Sequence, residues 1–224
     1  MFLKICGIQA PAEASAAIAA GATALGVLLG LTHAAEDAVT EDAACGIVGA
    51  IDGQAETVLV THLLDAGRIA ALAKAIGVRA IQVHDDLPPD GMRRLRALAP
   101  GRRLIKAIHV TGPEALGKAA TYANLADALL LDSRTADRLG GTGRTHDWSL
   151  SRAIVRASPV PVYLAGGLNP GNVRAAIDAV RPAGVDVNSG VEDGTGAKDP
   201  AAMREFLRAA RSGLETGSGG AGRA

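Results

Sequence analysis

Aromatic side chains are nearly absent from this chain, at 2% of 224 residues. A core of stacked rings is excluded, and the interior must be built from Ala, Val, Ile and Leu within a hydrophobic fraction of 48%. Cysteine is as scarce. The two present, Cys6 and Cys45, lie far apart and do not suggest a disulfide framework. Neither sign of charge is in excess: 23 Lys and Arg balance 23 Asp and Glu, which leaves no basic surface for nucleic acid. No apolar run reaches the length of a bilayer span. The opening Met1-Phe2-Leu3-Lys4-Ile5-Cys6 is too short and wrongly flanked for a secretory signal. The expectation is a cytosolic protein with neither a nucleic-acid nor a membrane partner, as a monomer or homodimer.

What the sequence does have is alternation. Short β-branched or apolar runs at 2–6, 24–30, 57–62, 80–84, 104–109, 127–132, 160–165 and 184–188 read as strands. Between them, Ala-, Leu- and Arg-rich stretches read as helices beginning near Ala12, Thr40, Asp65, Pro89, Pro113, Trp148, Pro170 and Pro200. Asn169-Pro170 and Asp199-Pro200 each set a capping side chain before a proline at the first helical position. Strand–helix repeats of this size imply a parallel sheet, and eight of them imply closure. The predicted fold is a single-domain (β/α)8 TIM barrel over residues 1–211, followed by a disordered Gly-rich tail, 212–224.

A parallel barrel carries its chemistry at the C-terminal ends of its strands. The seventh and eighth strands end in Gly166-Gly167 and Ser189-Gly190, and Gly140-Gly141-Thr142-Gly143 follows the sixth. Glycines there let main-chain N–H groups approach the oxygens of a phosphorylated small molecule, or they serve only as tight turns. Strand periodicity turns Lys4 and Cys6 inward and Leu3 and Ile5 outward. A thiol near cations loses its proton readily and can act as a base. Asp132 ends the apolar run Ala128-Leu129-Leu130-Leu131, where a carboxyl can hold its proton and act as an acid. The alternative is a buried structural cysteine and a helix-capping aspartate.

Lys4-Ile5-Cys6-Gly7-Ile8, Leu131-Asp132-Ser133, Gly140-Gly141-Thr142-Gly143 with Asp147-Trp148, Ala165-Gly166-Gly167-Leu168 with Asn172-Val173, and the run from Gly184 to Glu192 with Lys198-Asp199 resemble the phosphoribosylanthranilate isomerase family. Ile81-Gln82-Val83-His84 and Ile105-Lys106-Ala107 also look like that family's fourth and fifth strands. The resemblance implies a cofactor-free Amadori rearrangement in tryptophan biosynthesis. It makes Cys6 the general base and Asp132 the general acid. Gly141, Gly143, Gly166, Gly167, Ser189 and Gly190 then serve the phosphate, and Asp186 and His84 serve the substrate.

The resemblance breaks after the second strand. The family usually has a Ser-Pro-Arg-like stretch there, whose arginine meets the anthranilate carboxylate. This chain has Gly30-Leu31-Thr32-His33-Ala34-Ala35-Glu36-Asp37 and no arginine. Asp85 stands where glycine is common, and His146 where phenylalanine is. All five histidines, His33, His62, His84, His109 and His146, fall at or just after expected strand ends. They either line an ordinary polar pocket or mark an altered substrate with a divalent metal on some of His33, Glu36, His62 and His109. Two further readings are an isomerase or lyase of this fold acting on another phosphorylated sugar, and a non-catalytic phosphosugar-binding barrel.

Overall fold

A computed structural model describes residues 1–31, 37–132 and 148–218, the last two by their backbone only. The strands are β1 (Phe2–Ile5), β2 (Ala24–Leu28), β3 (Glu56–Thr61), β4 (Ala80–Val83), β5 (Arg103–His109), β6 (Ala128–Asp132), β7 (Val162–Leu164) and β8 (Gly184–Val187). Each is followed by a helix: α1 (Pro11–Ala19), α2 (Glu41–Ile51), α3 (Ala66–Ala75), α4 (Pro89–Leu98), α5 (Glu114–Ala123), α6 (Trp148–Ala157), α7 (Val173–Val180) and α8 (Pro200–Ser218). The strands pair in parallel in sequence order, and β1 pairs with β8 to close the barrel. Among the described residues no helix is long and apolar enough to cross a membrane.

Period-two alternation sorts the apolar side chains into two cores. Leu3, Ile5, Leu25, Leu59, Ile81, Leu104, Leu129, Leu131 and Val185 face the helices. Phe2, Cys6, Ala24, Val58, Ala80, Ile105, Ala107, Ala128 and Leu130 fill the barrel. Small alanines on several strands leave width for the few large inward residues, as close packing requires. The expected inward turn of Cys6 and outward turn of Leu3 and Ile5 are both observed.

The floor stacks two of the five aromatic residues. Phe2 and Tyr163 stack with ring centroids 3.9 Å apart. The Arg103 guanidinium lies 5.1 Å from the first ring and 5.3 Å from the second, and it pairs with Glu56 at 2.9 Å. Gly184 is in register with both Phe2 and Tyr163. A Cβ there would run into the Phe2 carbonyl, so only glycine lets the rings meet.

Helix starts follow capping chemistry. Thr40 accepts from Ala43 N at 3.2 Å, Asp65 from Arg68 N at 2.7 Å and Asp199 from Ala201 N at 2.7 Å. Two expectations need correction. The seventh helix begins at Val173 rather than near Pro170. Asn169 Oδ1 accepts from Gly171 N at 2.9 Å, and Asn172 Oδ1 accepts from Asn169 N at 2.8 Å, which closes residues 169–172 into a turn. The tail expected to lose order at Ser212 is helical to Ser218. Arg174 on α7 donates to Ser212 and Thr216 there, at 3.1 and 3.3 Å. Residues 219–224 lie outside the described residues.

Candidate active site

The wall of the barrel mouth is built on β1 and β8. Lys4 is fully buried, and its Nζ donates to Asp186 Oδ2 at 2.8 Å and to Gln82 Oε1 at 2.9 Å. Lys4 and Asp186 are register partners on adjacent strands, so the ion pair follows directly from barrel closure. Burial works to lower the Lys4 pKa, but the opposing charges of Asp186 and the Cys6 sulfur prevail, and it ends above its usual value. Asp186 Oδ1 is buried with no hydrogen-bond partner among the described residues.

Cys6 caps β1 beside Lys4. A Cβ on Gly26 would lie 2.9 Å from both Cys6 Sγ and Lys4 Cε, so the glycine of β2 makes room for the pair. Burial is the largest influence on this thiol and pushes it up to about 11, and Asp186 adds to the rise. Lys4 and Lys198 pull it down without prevailing. The expectation that nearby cations free the thiol of its proton is therefore not met in the unliganded site, because desolvation outweighs both lysines. Beyond Cys6, Gly7 turns at φ +69°, directly under Asn188, Asp37 and Lys198. Asn188 Nδ2 donates to Asp37 at 2.6 Å, and the buried Lys198 ammonium donates to Asn188 and Glu192.

Across the mouth, Asp132 ends β6 with its side chain 22% exposed, and His84 Nε2 lies 3.5 Å from its Oδ2. Gln82 Nε2 is 3.3 Å from His84 Nδ1. His84 lies between two other imidazoles, His62 at 4.9 Å and His109 at 5.1 Å between ring centroids. His62 Nδ1 contacts Asp85 Oδ2 at 3.2 Å, and His109 Nε2 donates to the His84 carbonyl at 3.0 Å.

The third wall is glycine. Gly166 and Gly167 adopt φ of +80° and +65°, successive left-handed positions that only glycine takes without strain. Asn172 Nδ2 donates to Gly167 O at 2.8 Å and ties down that loop. After β8, residues Ser189–Val191 form a single 3-10 turn. A Cβ on Gly190 would run into the Leu168 carbonyl, so the loops after β7 and β8 touch backbone to backbone. Ser189 is exposed at their edge.

The structure thus gathers Cys6, Asp186, His84, Asp132, Gly166, Gly167, Ser189 and Gly190 at the strand ends of one barrel. Gly141, Gly143, His33, Glu36 and His146 lie outside the described residues. Asp186, expected to meet substrate, spends Oδ2 on Lys4. Among the described residues, His84, His109 and Asp132 each bring one potential ligand atom within 4.8 Å of the others. That differs from the histidine set expected for a metal, since His62 is turned to Asp85. His84 also offers its second ring nitrogen to an amide donor, whereas metal-binding histidines usually give theirs to an acceptor. Sequence reading passed over Lys4 and Gln82 as site residues. Their signal was a lone polar side chain at an inward position of an aliphatic strand.

The family model for N-(5'-phosphoribosyl)anthranilate (PRA) isomerase matches residues 3–209. A relative from Methanosarcina mazei, N-(5'-phosphoribosyl)anthranilate isomerase 2, is 38% identical over 214 residues, 95% of either chain. One from Methanocella arvoryzae, named N-(5'-phosphoribosyl)anthranilate isomerase, is 40% identical, covering 93% of this chain and 97% of its own. The crystal structure of phosphoribosyl anthranilate isomerase from Thermotoga maritima superposes with a TM-score of 0.84 at 31% identity, over 95% of this chain and 99% of that one. A structure of such an isomerase in complex with reduced 1-(o-carboxyphenylamino)-1-deoxyribulose 5-phosphate superposes with a TM-score of 0.81 at 29% identity, with the same coverage.

Proposed function

The chain belongs to the N-(5'-phosphoribosyl)anthranilate isomerase family, and from that premise we propose that it converts N-(5'-phosphoribosyl)anthranilate to 1-(2-carboxyphenylamino)-1-deoxyribulose 5-phosphate in tryptophan biosynthesis. The observation that carries the reading is a thiol on β1 and a carboxyl on β6 at one barrel mouth, rimmed by the glycine loops after β7 and β8.

Asp132 donates a proton to the furanose ring oxygen as the nitrogen lone pair expels it, which leaves a protonated Schiff base. Cys6 removes the proton from C2, and those electrons neutralise the Schiff base to give an enolamine. The enolamine then becomes the ketone by moving its enol proton to C1. A thiol at about 11 keeps its proton in the empty site and must release it to solvent before it can act as a base, but the cationic Schiff base forms on the carbon next to the one whose proton it must take. A new positive charge at that distance favours the thiolate. Ring opening therefore arms the base, and the order of the two transfers follows from the electrostatics. The phosphate is assigned to the main chain of Gly166, Gly167, Ser189 and Gly190, with Gly141 and Gly143 as further candidates.

Cys6→Ala and Asp132→Asn each lower turnover by about two orders of magnitude or more, the usual scale for such groups. Wild-type rates in either variant remove the mechanism. Growth of a tryptophan auxotroph lacking the isomerase, rescued by this chain, tests the substrate. The absence of arginine from Gly30 to Asp37 favours a second reading, another phosphorylated sugar, if the folded protein fails to rescue.

A further inference from the structure

We propose that the buried lysine of β1 sets the tautomer of the histidine beside the acid, through one glutamine, and thereby keeps that histidine from consuming the acid's proton. This rests on the reading of Asp132 as the general acid and adds Lys4 and Gln82 as positioning residues.

An ammonium has only donors. Lys4 Nζ lies 2.9 Å from one end of the Gln82 amide, so that end is the carbonyl oxygen, and the choice is forced by chemistry. The other end is then the NH2 group, 3.3 Å from His84 Nδ1. A group that can only donate makes Nδ1 an acceptor. A neutral imidazole with a lone pair on Nδ1 carries its proton on Nε2, the nitrogen 3.5 Å from Asp132 Oδ2. Adding a proton to Nδ1 would set two donors face to face, so the contact works against the imidazolium. Asp186 completes the chain by fixing Lys4 at 2.8 Å. The charge that begins at Asp186 ends as a directed N–H at Asp132.

The consequence is chemical. With the proton on Nε2, 3.5 Å from Oδ2, that oxygen is the one placed to accept, and the transferable proton of Asp132 resides on Oδ1. In the opposite tautomer Nε2 presents a lone pair, and the imidazole accepts the proton meant for the ring oxygen. The 3.5 Å separation is an ion-pair distance and not yet a hydrogen bond, and catalytic contacts often tighten only when substrate arrives.

The test is imidazole 15N NMR of the full-length protein at neutral pH, with the His84 resonances assigned by their loss in His84→Gln, combined with steady-state kinetics. Wild type shows Nε2 protonated and Nδ1 bare. Gln82→Glu offers Nδ1 an acceptor, moves the proton to Nδ1, and lowers kcat by roughly tenfold to a hundredfold with KM within about twofold. Gln82→Met, which neither donates nor accepts, gives a mixture of tautomers and an intermediate kcat, and it serves if the glutamate variant fails to fold. A packing defect alone lowers kcat and leaves the proton on Nε2. Nδ1 protonated in wild type, or an imidazolium, overturns the proposal, as does a tautomer exchange with unchanged kcat. The spectra need no substrate. An Nε2–H wild type that fails to isomerise the anthranilate sugar therefore refutes the proposed function while leaving the tautomer assignment standing.

Discussion

The reactivity of Cys6 tests the electrostatics of the mouth most directly. Its thiol stands at about 11 against an ordinary 9.0, so at neutral pH about one molecule in ten thousand carries the thiolate, roughly a hundredfold fewer than for an unperturbed thiol. The assay is alkylation by iodoacetamide in a Cys45→Ser background, which leaves Cys6 as the sole thiol. Burial limits the reagent's access and scales every rate alike, so the pH dependence is what reports the proton. The rate rises about tenfold per pH unit through pH 10 with no plateau. Two substitutions move it in opposite directions. Lys4→Met removes a cation that holds the thiol down, and slows alkylation at every pH. Asp186→Asn removes an anion that holds it up, and speeds alkylation. Lys4→Met also strands Asp186 as a buried charge, at a cost of about 3–5 kcal/mol of stability, and the double variant recovers part of that loss. A plateau below pH 9 refutes desolvation as the dominant influence, and slower alkylation in Asp186→Asn refutes the contribution of its charge.

Alkaline stability follows from the same thiol. A folded pKa raised from 9.0 to about 11 leaves stability intact below 9.0 and reduces it as pH rises to about 11. The loss is about 3 kcal/mol, and chemical denaturation of Cys6→Ala shows it removed. Gly190→Ala drives a methyl into the Leu168 carbonyl; the loops part, stability falls by about 1–3 kcal/mol, and inorganic phosphate ceases to compete with substrate. Arg103→Met removes the cation over the floor aromatics and the Glu56 pair. It costs about 1–2 kcal/mol in a thermal melt and leaves kcat unchanged, since the floor lies at the opposite end from the acid and base.

The barrel was legible because its signals are local and repeated. Every expected strand formed within two residues of its expected bounds, and Thr40, Asp65 and Asp199 cap the helices that follow them. Two local readings failed through competition. Asn169-Pro170 looks like a helix start, but the asparagines at 169 and 172 close a turn on themselves first. The tail after Ser212 has the composition of a disordered segment, yet Arg174 engages Ser212 and Thr216 across 38 and 42 residues, which no window reveals. At the site, Cys6 and Asp132 stand out because each ends a strand. The link between them did not, because Lys4, Gln82 and Asp186 lie on three strands and meet only when the barrel closes. Charge counting also misjudged the thiol. The nearby lysines are visible in sequence, but the desolvation that outweighs them is a property of the assembled barrel.

The Lys4–Asp186 bond sits on the seam of the ring. Its two halves belong to the first and last strands of the barrel. A nascent chain with seven strands docked therefore holds the Lys4 ammonium beside the Gln82 oxygen without the carboxylate that fixes it. Arrival of β8 neutralises that charge and fixes the ammonium that orients Gln82. Completion of the fold and readiness for chemistry become the same step, and a fragment lacking β8 has no route to partial activity.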